Sequence, residues 1–290
     1  QVVMAFMMLV MIFMILPRAS VAAHRIGEVL HTHPTILDGT QASGDPACPG
    51  QVEFRNVSFR YPDAEEYVLK DISFTAKQGE TVAIIGSTGN LIPRFYDATE
   101  GQVLVDGVDV REYDQRSLRN KIGYVSQKAT LFTGTIASNV AYGDNGEAPP
   151  SPADVQAAVA TAQAEDFVSH MEGGYEGYVA QGGANLSGGQ KQRLSIARAI
   201  ARKPEILFDD AFSALDYKTD RVLRSALDQT CQNTTRIIVA QRIGTIRDAD
   251  QIIVLDDGQI AGIGKHQDLM QTCGVYQQIA LSQLSKEELA

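Results

Sequence analysis

The chain has 290 residues with 44% hydrophobic side chains, and its 25 Lys+Arg against 35 Asp+Glu leave a formal charge of −10. At ~150 residues per domain there is room for two domains with real cores, which excludes disordered and collagen-like classes. The negative balance argues against a broad electrostatic footprint for nucleic acid, so no nucleic-acid partner is expected. Cys48, Cys231 and Cys273 are odd in number and widely scattered, which fits neither a disulfide framework nor a zinc site and suits a reducing compartment.

In chain order, Val2–Leu16 (VVMAFMMLVMIFMIL) is an uninterrupted run of fifteen apolar residues ended by Pro17 and Arg18. At ~1.5 Å per residue it reaches ~22 Å, short of a ~30 Å hydrocarbon core. It therefore reads as part of a transmembrane helix, with Arg18, His24 and Arg25 marking a cytoplasmic exit; a buried helix of a soluble protein is the alternative. Ala19–Leu30 reads as an amphipathic continuation. The expected organisation is the end of a membrane helix with its cytoplasmic extension over 1–37, a linker over 38–50 and a folded domain over 51–290.

Apolar residues alternate at Val52 and Phe54, again at Val57, Phe59 and Tyr61, and at Ile72 and Phe74, which predicts antiparallel strands. Short β runs at Thr81–Ile85, Gln102–Val105, Thr235–Val239 and Gln251–Leu255 are then interleaved with helical stretches, the pattern of a mainly parallel sheet with crossover helices. Pro149–Pro152 interrupts the chain, and Ala153–Val168 reads as helix.

Two segments carry chemistry. Thr81–Gly89 (TVAIIGSTG) is an apolar strand entering a glycine turn, Gly86-Ser87-Thr88-Gly89. Glycines there let backbone N–H groups turn inward around phosphate oxygens. Counting from Gly86, the places for the Gly, Lys and Ser/Thr that complete such a loop hold Leu91, Ile92 and Pro93, so the fragment alone fits a plain glycine turn equally well. Asn185–Lys203 (NLSGGQKQRLSIARAIARK) has Ser187 three residues before Gln190, a capping-box spacing that starts a helix with an apolar face at Leu194, Ile196, Ala197 and Ile200.

Leu186-Ser187-Gly188-Gly189-Gln190 resembles the signature motif of the ATP-binding-cassette (ABC) family, and other matches follow the family's order. Tyr61, in Phe59-Arg60-Tyr61-Pro62, resembles the aromatic that stacks on adenine, although an edge-strand aromatic reads the same way in isolation. Gln127 resembles the Q-loop glutamine. Ile206–Asp210 resembles the Walker B strand, and Ser213-Ala214-Leu215-Asp216 the D-loop. The resemblance covers about Gln51 to Ala280, and the leader is similar to the end of the last transmembrane helix of a multidrug or lipid exporter. It implies an α/β fold, an ABC-type P-loop ATPase core with an antiparallel β subdomain and a helical signature subdomain (about 128–200), preceded by a partial transmembrane helix.

The resemblance also implies ATP and Mg2+ as ligands, with the nucleotide between the phosphate loop of one subunit (Gly86, Ser87, Thr88, Gly89) and the signature of the other. Asp209 and Gln127 correspond to metal-binding positions. Asp210 stands where a catalytic glutamate is usual and Gln241 where a switch histidine is usual, replacements similar to the degenerate half of a heterodimeric exporter. About seven residues of the family pattern, including the loop lysine and roughly two helical turns, are absent near Gly89, and the Walker B strand is one apolar residue short. Three functions follow as expectations: an ATP-driven exporter subunit in the plasma membrane with a cytoplasmic nucleotide-binding domain, its own transmembrane domain and a second half-transporter as partners; a non-hydrolysing subunit that only supplies its signature; and, opposed by charge and leader, a cassette ATPase acting on nucleic acid.

Overall fold

The computed structural model describes residues 1–86, 91–143, 145–209, 217–240 and 242–283. It divides into two units, Gln1–Leu37 and Asp38–Ala290. The first holds α1 (Val2–Leu30), a 29-residue helix that runs through Pro17 without stopping. The proline ring removes one backbone N–H and crowds the preceding turn, yet the helix continues on both sides of it. No residue of α1 is buried. Its most apolar window has a mean hydropathy of 2.3, which makes the helix long and apolar enough to cross a membrane.

In the second unit, β1 (Val52–Phe59), β2 (Leu69–Ala76), β4 (Glu100–Val105) and β5 (Val108–Asp109) form an antiparallel sheet in the order β2-β1-β4-β5. The phase change between Phe54 and Val57 in the sequence is a β-bulge. Asn56 adopts φ +48° there, and its side chain donates to Asp71 at 2.8 Å. One extra residue lets Val52, Phe54, Val57 and Phe59 all face inward, each at most 2% exposed.

A six-stranded sheet in the order β12-β11-β3-β10-β9-β6 is built from β3 (Thr81–Ile85), β6 (Ile122–Val125), β9 (Ile206–Asp209), β10 (Thr235–Val239), β11 (Gln251–Asp256) and β12 (Gln259–Gly264). All its pairs are parallel except β11 with β12. Both faces are covered, so successive residues of one strand enter different cores. Val82, Ile84, Ile206 and Phe208 pack toward the antiparallel sheet, whereas Ala83, Ile85 and Leu207 pack toward the helices. Although short, β9 pairs residue for residue with β6 and β10, and all four of its residues are buried.

The helices are α2 (Gln115–Asn120), α3 (Ile136–Val140), α4 (Pro152–Thr161), α5 (Glu165–His170), α6 (Gly188–Ala201), α7 (Tyr217–Thr230), α8 (Ile243–Ile246), α9 (His266–Thr272) and α10 (Gly274–Gln283). A small ladder of β7 (Gly134–Thr135) and β8 (Tyr178–Val179) lies between α2 and α6 in sequence. The helix expected over Ala153–Val168 is interrupted. Gln163 has φ +55° between α4 and α5, and its carbonyl accepts from the Arg193 guanidinium of α6, which turns the chain. Residues 38–50, expected as a linker, lie against the domain: Gly39 N and Gln41 N donate to the Tyr113 and Glu112 carbonyls, and Asp45 N to that of Asp106, at 2.8–2.9 Å.

Candidate functional site

In parallel sheets ligands gather beyond the carboxyl ends of the strands, where backbone N–H groups and loop side chains converge. Three expected site residues stand there. Gly86 follows β3, Asp209 ends β9, and Gln127 lies two residues past β6; Asp209 pairs directly with Val125 across the β9–β6 ladder. Gly86 has φ +133°, and a Cβ on it would sit 2.9 Å from Leu255 Cβ, so the turn requires glycine. Gln127 is exposed. Ser87, Thr88, Gly89, Asp210, Asp216 and Gln241 lie outside the described residues. Leu91 and Ile92, in the places where a full phosphate loop carries lysine and its glycine neighbour, are fully buried in the core beneath the antiparallel sheet.

Asp209 is 1% exposed. It lines, with Leu207 and Ile238, a cavity of about 360 Å³ between the sheet and α7. Asp220 and Arg224 of α7 face the same space and form an ion pair at 3.0 Å. Burial pushes the Asp220 carboxyl above the usual carboxylate range, and the neighbouring Arg224 opposes that shift.

Tyr61 comes from the other sheet, two residues past β1, and is 40% exposed. Its ring meets Phe59 edge to face at a centroid distance of 5.0 Å, and Tyr96 at 5.3 Å with an interplanar angle of 86°. Sequence reasoning assigned no role to Tyr96. The contact bridges 35 positions of chain, and the only local signal is an aromatic set between Arg94 and Asp97.

The signature residues stand apart from that strand edge, at the start of α6. Ser187 caps the helix as its spacing implied: Gln190 N donates to Ser187 Oγ at 3.3 Å, and Ser187 N to Gln190 Oε1 at 2.9 Å. Leu186 packs on the core, and Asn185 braces the turn through the backbone of Tyr178 and Ala180. Among the described residues, a Cβ placed on Gly188 or Gly189 would meet nothing within 4 Å. Arg198, in the last turn of α6, lies over the rings of Phe132 and Tyr142 and donates to the Thr130 and Asn139 carbonyls.

The sequence model of the ABC transporter family matches residues 69–213, half of the chain, including β3, the signature and β9. The chain belongs to the ABC transporter family. Across 98% of its length it is 46% identical to an uncharacterized ABC transporter ATP-binding protein of Mycobacterium tuberculosis, and across 88% it is 42% identical to the ATP-dependent lipid A-core flippase of Pseudomonas putida. It covers 50% and 43% of those two proteins, so the chain spans about half the length of the curated relatives it matches. A solved bacterial Atm1-family ABC exporter with ATP bound superposes with a TM-score of 0.83 at 36% identity, over 96% of this chain and 50% of that one. The ABC ATPase fold, with its antiparallel sheet, parallel sheet and preceding apolar helix, is thereby shown.

Proposed function

We propose that this chain is the ATP-binding part of an ABC exporter, in which closure of two cassettes on ATP drives attached membrane helices. The observation that carries this reading is that one chain joins an exposed apolar helix to a cassette, and that an exporter of known structure matches 96% of the whole. Residues 1–37 would then be the end of a transmembrane helix with its cytoplasmic extension, 38–50 the connection, and 51–290 the nucleotide-binding domain with a helical subdomain at about 128–200. The remaining transmembrane helices, the bilayer of the plasma membrane and a second half-transporter are the partners, with the cassette on the cytoplasmic side.

Adenine would stack on Tyr61, and the phosphates would lie against the Gly86–Gly89 turn. The signature supports the same reading. Since no described residue lies within 4 Å of a Cβ placed on Gly188 or Gly189, their smallness suits close approach of a ligand held by another subunit. Ser187 and the first N–H groups of α6 present a positive helix end to it. Asp216 would lie at the contact between subunits. Asp209 and Gln127 offer oxygen donors at neighbouring strand ends, a set that suits Mg2+. No group of three potential ligands is preformed among the described residues, so the ion would arrive with the triphosphate. Bound there, magnesium would offset phosphate charge.

The chain's own site reads as the degenerate half of a heterodimer. Its loop positions are apolar, Asp210 is one methylene shorter than glutamate, and Gln241 hydrogen-bonds but carries no proton. Displacing a water-polarising carboxylate by ~1 Å can cost about 100-fold in rate. The buried Leu91 and Ile92 also favour a second reading, a non-hydrolysing partner that supplies only Leu186–Gln190 to the competent site. Hydrolysis by the reconstituted pair, with Ser187→Arg introduced here, tests the signature role. Near-complete loss of turnover supports it, and unchanged turnover refutes it. Tight ATP binding by this chain, abolished by Tyr61→Ala, would separate the regulatory-site reading from the purely structural one.

A further inference from the structure

Tyr61 lies two residues past the end of β1, beyond the ladder, and ring packing orients the plane it presents. Two rings do this. Phe59, 1% exposed, supports it from the core, and Tyr96, 38% exposed, meets it nearly at right angles. Tyr96 is itself held by a rigid turn. Arg94, buried with φ +52°, donates to Asp97 at 2.7 Å, and Arg119 donates to the Pro93 and Arg94 carbonyls at 3.2 and 3.1 Å. Phe95, between them, is fixed edge-on against Tyr124.

A purine laid parallel to the Tyr61 ring would stand almost perpendicular to Tyr96, because the two tyrosines meet at 86°. The pair is thus a corner, one ring for the face of a base and the other for its edge, an arrangement aromatic quadrupoles favour. The phosphate end is poorer: Leu91 and Ile92 are buried apolar residues, and no lysine follows Gly86 before Arg94. We propose that Tyr96 is a second, positioning residue of the base site, fixing the plane of Tyr61 so that nucleotide affinity in this chain is led by the base. The inference rests on the reading of Tyr61 as the base-stacking residue.

Calorimetric titration of the full chain in detergent with ADP and ATP tests it. Tyr96→Leu is expected to weaken both nucleotides about three- to tenfold by the same factor, with Tyr96→Phe restoring the parent affinity because the ring and not the hydroxyl makes the contact. Tyr96→Met serves if the leucine variant does not fold. Parent-like binding by the leucine or methionine variant, or failure of the phenylalanine variant to restore affinity, overturns the role of Tyr96. If Tyr61→Ala still abolishes binding in that case, the wider nucleotide reading stands without it. A parent chain that binds neither nucleotide overturns both.

Discussion

Single residues show where local chemistry decides. Gly86 sits at φ +133° with Leu255 against the place of its missing Cβ, so Gly86→Ala should cost about 1–3 kcal/mol, measurable by denaturant unfolding at constant slope. Asp97→Ala would strand the guanidinium of Arg94, whose side chain is 4% exposed, and should cost about 2–4 kcal/mol, less than a fully buried pair because Asp97 is 30% exposed. His266 gives a pH signature. Its Nδ1 lies 2.7 Å from the Tyr276 hydroxyl, and burial, with Arg247 nearby, holds its pKa below the ordinary value. The unfolded chain therefore takes up this proton first, and stability should fall as pH drops below about 6.5. His266→Gln should flatten the melting temperature between pH 7 and 5.5; an unchanged slope would assign it to other groups. Burial also pushes the Tyr276 hydroxyl up to about 12, so it remains neutral throughout that range. Ser187 and Gln190 were legible because a capping box is written within four positions of chain. Tyr96 was not, since its meaning lies in a ring 35 residues away.

At the scale of elements, the sequence pattern found strands better than it assigned them to sheets: Gln102–Val105, expected in the parallel sheet, belongs to β4 of the antiparallel one, where it pairs with β1. Thr81–Ile85 and Thr235–Val239 appear with the expected boundaries, because strands buried on both faces are short apolar runs. The break between α4 and α5 was not legible, since it depends on Arg193 reaching the Gln163 carbonyl from α6. The cap of α6 carries two reciprocal hydrogen bonds, so Ser187→Ala should lower stability by about 1 kcal/mol, read as a loss of melting temperature without a change in fold. Short as it is, β9 pairs with a neighbour on each side, and Phe208 and Leu207 alternate between the two cores.

For the molecule as a whole, Asp38–Ala290 is a compact unit with two hydrophobic cores of its own. A chain beginning at Asp38 should therefore fold alone. In flotation with phospholipid vesicles the full chain should rise with the lipid and the piece beginning at Asp38 should stay behind; equal flotation would place the membrane affinity in the cassette. The architecture was readable because motif order and strand pattern agree. The phosphate-loop half of the site was less so, because no lysine stands between Gly86 and Arg94 to complete the motif.

The segment before β1 bears on how force would travel. Thirteen residues of free coil would give roughly 20 Å of slack between a helix and its cargo. Here the segment is fastened from Asp38 onward. Asp38 accepts from Gln115 N at 3.1 Å, Gln41 bridges Tyr113, and Gly50 N donates to Asp106 Oδ1 at 2.7 Å, with Asp106 in turn held by Lys121 at 2.8 Å. A pull applied at residue 38 would meet the β4–β5 turn and α2 at once, because the segment is anchored along its length like a cable clipped to a wall.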